Sequence, residues 1–267
     1  MKGKMSALFI MLLGSVCAIN VVSPVEQHVN EGDIVDLGTI GPGQTISLMI
    51  DPEVTTGGLF GEGGFYDTAV IAAVPEGWSG EDSKLYGRPL QITISADPNA
   101  TEGDYYTKIR LVDEYYGEKL ENITFSARVT ISYDVVEVGI NPEYVQTGPD
   151  QPAMFSITIT NKGSTGDAFE IKSTGSKVWE FRRAVFVPAE SSKTIYYEIA
   201  GAEEETYKTT ISVESMASPI IHDEKEVTVD VHSDIIYDLK ATNNGVLIFP
   251  IFEGIVYAFL GLIANFL

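Results

Sequence analysis

Apolar and polar residues alternate one by one through the middle of this chain. "MFSITITN" puts Phe155, Ile157 and Ile159 on one face, and "KTIYYEIA" does the same with Ile195, Tyr197 and Ile199. "YKTTISVE" repeats it with Tyr207, Ile211 and Val213, and "EVTVDVHS" with Val227, Val229 and Val231. Successive Cβ atoms of a strand point to opposite faces, so a period of two marks strands buried on one side. Clusters such as "NKGSTGD" and "TGPDQP" supply turns between them. No stretch between residues 30 and 240 holds a helical apolar period for three turns. The pattern predicts an all-β protein of short strands packed as antiparallel sandwiches.

The first half of the body repeats the second. "IGPGQTISLMI" parallels "TGPDQPAMFSITI", and "VPEGW" with Trp78 parallels "SKVWEF" with Trp179. "PLQITISADPNATEGDYYTKIRLVDE" parallels "SKTIYYEIAGAEEETYKTTISVES". The copies are offset by 101 residues at the tryptophans and by 102 at Tyr105 and Tyr207. Two domains are therefore expected, at 19–137 and 138–232. The first carries an extra glycine-rich loop, "TTGGLFGEGGFYD".

The ends are different in kind. Lys2 and Lys4 precede an apolar run from Met5 to Leu13, and Val16-Cys17-Ala18 offers small residues for cleavage after Ala18. Residues 1–18 are expected to be a secretory signal peptide; a retained anchor or a lipidated Cys17 are the alternatives. Residues 233–245 would form a stalk. From Val246 to Leu267 the only ionisable side chains are Glu253 and Tyr257. As a helix this segment would be ~33 Å long, enough for a ~30 Å hydrocarbon core. A single-pass protein with its body outside the cell is expected. No Lys or Arg follows the span, although cytoplasmic flanks are normally basic. Gly254, Ala258, Gly261 and Asn265 fall on one small-residue face, with Glu253 beside it. That face suits a membrane-protein partner, which Glu253 would pair with; the alternative is a Glu253 that reaches the outer interface.

Charge and chemistry narrow the function. The chain has 17 basic and 38 acidic side chains, a net charge of −21, and loss of Lys2 and Lys4 would take it to −23. Phosphate backbones require clustered Lys and Arg, so nucleic acid is excluded as a partner. Cys17 is the only cysteine, which leaves the mature chain without disulfides or thiol chemistry. His28, His222 and His232 are scattered, and no hydrolase or nucleotide-binding motif is present. Residue type alone leaves an acidic glycosidase pair open but gives it no support. No cofactor is expected. Asp97, Asn99, Glu102 and Asp104 share one short turn and are weak Ca²⁺ candidates, against a plain solvated turn. "NAT" at Asn99 and "NIT" at Asn122 are candidate glycosylation sites. Trp78, Trp179, Tyr105 and Tyr207 could stack on sugars. Their recurrence in both copies instead favours core packing, with the tyrosine hydroxyls tying a corner of each sandwich.

The order of a "GPGQ"-type turn, an alternating strand, a Trp segment, and then Pro, strand, acidic-Gly-x-Tyr and strand resembles a known group. It looks like the immunoglobulin-like domains of archaeal and bacterial surface proteins, including the NPCBM-associated type, over most of residues 37–232. The second copy departs from it at "PAESS" and "EEET". The resemblance implies two Ig-like antiparallel β-sandwich domains used as spacers or for adhesion, followed here by a C-terminal transmembrane helix. The expected function is a membrane-anchored, extracellular, non-catalytic protein with a structural or interaction role, serving as an accessory subunit of a membrane complex. A carbohydrate-associated module that binds a glycan is the first alternative, and a secreted hydrolase the second.

Overall fold

The computed structural model of the chain describes residues 19–115, 117, 119–175, 182–201 and 203–233. These form two compact units. The first runs to Tyr133 and takes in Gly163–Thr165; the second holds Asp134–Lys162 and resumes at Gly166. The second begins at Asp134 because Val135 and Val136 are buried in its core. Among the described residues every regular element is a strand, and no helix is long and apolar enough to cross a membrane. Residues 1–18 and 234–267, with the expected signal peptide and span, lie outside the described residues.

The first unit contains β1 (Ile19–Ser23), β2 (Gln27–Val29), β3 (Ile34–Ile40), β4 (Thr45–Asp51), β5 (Glu53–Val54), β6 (Gly64–Phe65), β7 (Thr68–Ala73), β8 (Ser79–Glu81), β9 (Leu90–Ser95), β10 (Gly103–Val112) and β11 (Ile123–Ile131). One sheet has the order β2-β1-β4-β9-β8 and the other β3-β11-β10-β7. All pairings are antiparallel except β3 with β11. Alternate residues of the two sheets, such as Leu48, Ile50 and Ile92 with Ile109, Leu111 and Phe125, share one core.

The second unit contains β12 (Val136–Asn141), β13 (Tyr144–Thr147), β14 (Pro152–Asn161), β15 (Asp167–Thr174), β16 (Arg182–Val187), β17 (Ser191–Ala200), β18 (Thr206–Ser215) and β19 (His222–Val231). Its sheets are β12-β14-β17 and β13-β19-β18-β15-β16, with β13 parallel to β19. The alternating residues read from the sequence are its core: Phe155, Ile157, Ile159, Ile199, Ile211, Val213, Val227, Val229 and Val231 are all at most 2% exposed.

Both units are immunoglobulin-like sandwiches, and they share local detail. Gly41-Pro42-Gly43-Gln44 and Gly148-Pro149-Asp150-Gln151 make the same turn. In each, the Gln N–H donates to the first Gly carbonyl, at 3.2 and 3.1 Å. Gly43 and Asp150 both take left-handed backbone, with φ of 71° and 58°. Their N–H groups donate to Asp97 O and Gly201 O, tying each turn to the end of β9 or β17. One strand differs. β8 pairs with β9 in the first unit, whereas β16 pairs with β15 in the second. In the first unit the β7 edge is closed by side chains instead: Ala69 N–H donates to Ser83 Oγ (2.8 Å) and Ile71 N–H to Asp82 Oδ1 (2.7 Å). Such capping protects an edge that would otherwise recruit another strand.

Candidate ligand-binding site

Three connections of the first unit converge: residues 52–67 between β4 and β7, 82–89 between β8 and β9, and 113–122 between β10 and β11. Their backbones are fixed from below. Tyr66 is buried, and its hydroxyl donates to Glu121 O at 2.6 Å. Asp113 is buried and accepts from Gly117 N–H (3.1 Å) and Leu120 N–H (3.2 Å), which shapes the β10–β11 loop. Asp67 N–H donates to Val112 O, and Asp67 O accepts from Tyr86 N–H at 2.7 Å. A buried, satisfied frame of this kind holds loop side chains in place without needing a core beneath each one.

On that frame stands a group of exposed rings. The glycine-rich loop closes a two-stranded hairpin, β5 with β6. Gly63 there has a φ of 83°, and a Cβ on it would lie 1.9 Å from Val54 O, so only glycine fits. The tip presents Leu59 and Phe60, the latter 83% exposed. Tyr86 and Tyr115, 61% and 67% exposed, stand nearly parallel, with centroids 6.3 Å apart and planes at 16°. Tyr86 has a φ of 58°. Left-handed backbone costs a side-chain-bearing residue roughly 1–2 kcal/mol, and such outliers gather at binding sites. The Arg88 guanidinium carbon lies 4.1 Å from the centroid of the Phe65 ring. Phe65, Tyr86, Arg88 and Tyr115, with Asp67 and Asp113, line a cleft of about 290 Å³. A cleft of about 290 Å³ along Glu81–Thr93 and one of about 370 Å³ along Asn20–His28 have no Tyr, Trp or Phe in their walls.

Carboxylates outnumber cations in the cleft wall: Asp67 and Asp113 stand against Arg88. Loss of water contact pushes the Tyr86 phenol above its usual pKa, and Asp67, Tyr115 and Glu114 push it further. Among the described residues the cleft joins aromatic faces, carboxylates and one guanidinium, which is equipment for recognition.

The residues singled out by sequence lie elsewhere. Asp97, Asn99, Glu102 and Asp104 do not converge. Asp97 Oδ1 accepts from Asn99 N–H (2.8 Å), Glu102 Oε1 from Tyr133 N–H (3.1 Å), and Asp104 Oδ1 from the Thr130 hydroxyl (2.6 Å). Among the described residues no three His, Cys, Asp or Glu are placed to hold a metal ion. Asn99 and Asn122 are exposed. Trp78 is 7% exposed and packs on Tyr105 at 5.0 Å between centroids, so it offers no stacking platform. It precedes β8 instead of lying within a strand, because Pro75-Glu76-Gly77 turns the chain there and Trp78 N–H donates to Pro75 O. The Tyr105 and Tyr207 hydroxyls donate to Thr101 O and Glu203 O, each at 3.1 Å, which is the corner tie expected of them. Trp179, Glu253, Gly254, Ala258, Gly261 and Asn265 lie outside the described residues.

Sequence reasoning missed Phe60, Phe65, Tyr86, Arg88 and Tyr115. The available signal was the glycine-rich loop with its aromatic residues, which the second copy lacks.

No family model matches the chain, the NPCBM-associated one included, and no curated protein matches it. Solved structures similar to it are Ig-like or fibronectin-like sandwiches. A chimeric titin Z1Z2 carrying a decorin-derived peptide is 9% identical, with a TM-score of 0.34, over 83% of this chain and 100% of that one. The fibronectin(III)-like modules of Clostridium thermocellum CbhA are 13% identical, with a TM-score of 0.27, over 80% and 93%. The CARDB domain of the PF1109 protein from Pyrococcus furiosus, solved with di-metal ions, is 14% identical, with a TM-score of 0.30, over 36% and 87%. Likeness at this level says nothing of ligand or activity.

Proposed function

We propose that this chain is a non-catalytic binding protein held at the outer face of a membrane, and that its first unit meets a partner through the loop end around Tyr86 and Tyr115. One observation carries the reading. Exposed Tyr86 and Tyr115 stack on each other at a loop end of the first unit, in one cleft with Phe65 and Arg88, and the loop that closes the β5–β6 hairpin exposes Leu59 and Phe60. Large exposed rings on a preformed frame are the usual anchors of an interface, because they bury much area at little entropic cost. The sequence of the two ends supports the location: a signal-like start, and the apolar run from Val246 to Leu267. The exposed tyrosine faces also suit sugar rings, so a glycan-binding accessory module is the second reading, and the NPCBM-associated resemblance belongs with it. Copurification from gently solubilised membranes tests the first. Wild type should bring down a partner that the Phe60→Ala, Tyr86→Ala, Tyr115→Ala triple variant loses while staying folded and membrane-bound. A triple variant that keeps the full partner set overturns the reading.

A further inference from the structure

We infer that the cleft between Tyr86, Tyr115 and Arg88 receives a cationic side chain, the guanidinium or ammonium group of a basic peptide segment on the partner. This rests on the loop end being the binding end, and adds the chemistry of what it binds.

Three observations point the same way. The first is composition. The three converging segments, 52–67, 82–89 and 113–122, carry eight acidic side chains against three basic ones, Lys84, Arg88 and Lys119. A cleft with one dominant sign of charge concentrates ligands of the other sign. The second is the state of Asp67. Among the described residues its carboxylate accepts one long contact, 3.4 Å from Tyr115 N–H, and the residue lines the cleft. The third is a sample of the same chemistry in the same wall. The Arg88 guanidinium already rests over the Phe65 ring at 4.1 Å. The faces of Tyr86 and Tyr115 carry the same negative quadrupole and line one cleft with Asp67 and Asp113, so a second cation meets two carboxylates and two ring faces against the one positive charge of Arg88. An anionic ligand would meet the carboxylates unfavourably. A neutral sugar could use the ring faces but would gain nothing from the charge.

The size agrees. A cleft of about 290 Å³ holds one side-chain head and part of its stem, and is too small for a folded element. The occupant is therefore a single basic residue presented by a loop or extended segment.

The experiment uses the full chain in detergent and titrates four probes by calorimetry: the capped peptide Gly-Arg-Gly-Arg-Gly, its lysine counterpart, its citrulline counterpart, and cellohexaose. Citrulline keeps the shape of arginine and removes its charge. The arginine peptide should bind, and the citrulline peptide should bind about tenfold more weakly or not at all. Tyr86→Ala, Tyr115→Ala and Asp67→Asn should each weaken the arginine peptide. Tyr115→Phe, which keeps the ring face, should retain it, as should Tyr196→Ala, which removes an exposed ring on β17. Added salt should weaken it. Equal binding of arginine and citrulline peptides overturns the inference. So does arginine binding that ignores Tyr86 and Tyr115, or the absence of arginine binding at millimolar concentration. Cellohexaose binding that depends on Tyr86 and Tyr115, without arginine binding, removes the cation and leaves the binding end standing. Indifference of every probe to these residues, together with an unchanged partner set in the triple variant, removes both.

Discussion

Tyr207→Phe removes one oxygen and leaves the packing alone, which makes it a clean probe of the second sandwich. The ring is 9% exposed and belongs to the core, and phenylalanine fills the same space. The hydroxyl donates to Glu203 O at 3.1 Å and accepts from Glu203 N–H at 3.3 Å. Both bonds tie the β17–β18 connection to the start of β18, and both are partly shielded from water. A hydrogen bond contributes about 0.5–1.5 kcal/mol net, and the two share one oxygen, so the loss should be about 1–1.5 kcal/mol. For a domain of about 100 residues that lowers the melting temperature by about 4–10 °C. Tyr105→Phe is the internal comparison. Its hydroxyl reaches Thr101 O and Thr101 Oγ, each at 3.1 Å, in a more open setting where water replaces what is lost. Its cost should be about half as large. Scanning calorimetry of the full chain in detergent reads both, each variant lowering the transition of its own unit. A Tyr207→Phe transition that does not move, or a larger fall for Tyr105→Phe, refutes the claim that shielded hydroxyl bonds tie these corners.

Two further changes test other parts of the structure. Gly63→Ala forces a Cβ against Val54 O in a left-handed conformation; it should cost at least ~1–2 kcal/mol locally and displace the Phe60 loop, seen as faster hydrogen exchange over residues 55–65. Glu170 sits at about 2 instead of 4.5, because the Arg182 side chain and then Lys172 hold its ionised form. Its contribution is therefore complete above about pH 4.5 and is lost as pH falls towards 2. Glu170→Gln should make the urea midpoint of the second unit less sensitive to pH across that window and lower it slightly at neutral pH. An unchanged acid limb would show that solvent screens this exposed cluster completely.

What the sequence disclosed and what it hid divide along physical lines. The strands of the second unit were legible because a half-buried strand maps burial onto a period of two, and Phe155, Ile157 and Ile159 follow it without exception. The repeat was legible because a turn with a left-handed third residue tolerates few residue types, and Gly43 and Asp150 are two of them. The tyrosine ties were legible because Tyr105 and Tyr207 recur at the same place in both copies. The different partners of β8 and β16 were hidden, since a short edge strand chooses its sheet by competition between two neighbours, which no period records. The binding end was hidden for a related reason. Phe65, Arg88 and Tyr115 lie on three separate segments, and only the pairing of β7 with β10 and of β9 with β4 brings those segments together. Exposed Tyr86 and Tyr115 resemble any surface tyrosine until their mutual stacking is seen.

Site-specific photocrosslinking in native membranes tests the central claim most directly. A benzophenone side chain at position 60 replaces an 83% exposed phenylalanine at the tip of the glycine-rich loop, and one at position 196 replaces a 68% exposed tyrosine on β17. Neither position supports a core, so both variants should fold. If the loop end of the first unit is where this protein meets its partner, illumination yields a discrete adduct from position 60 and none from position 196. Equal adducts from both positions, or an adduct from position 196 alone, would contradict the account.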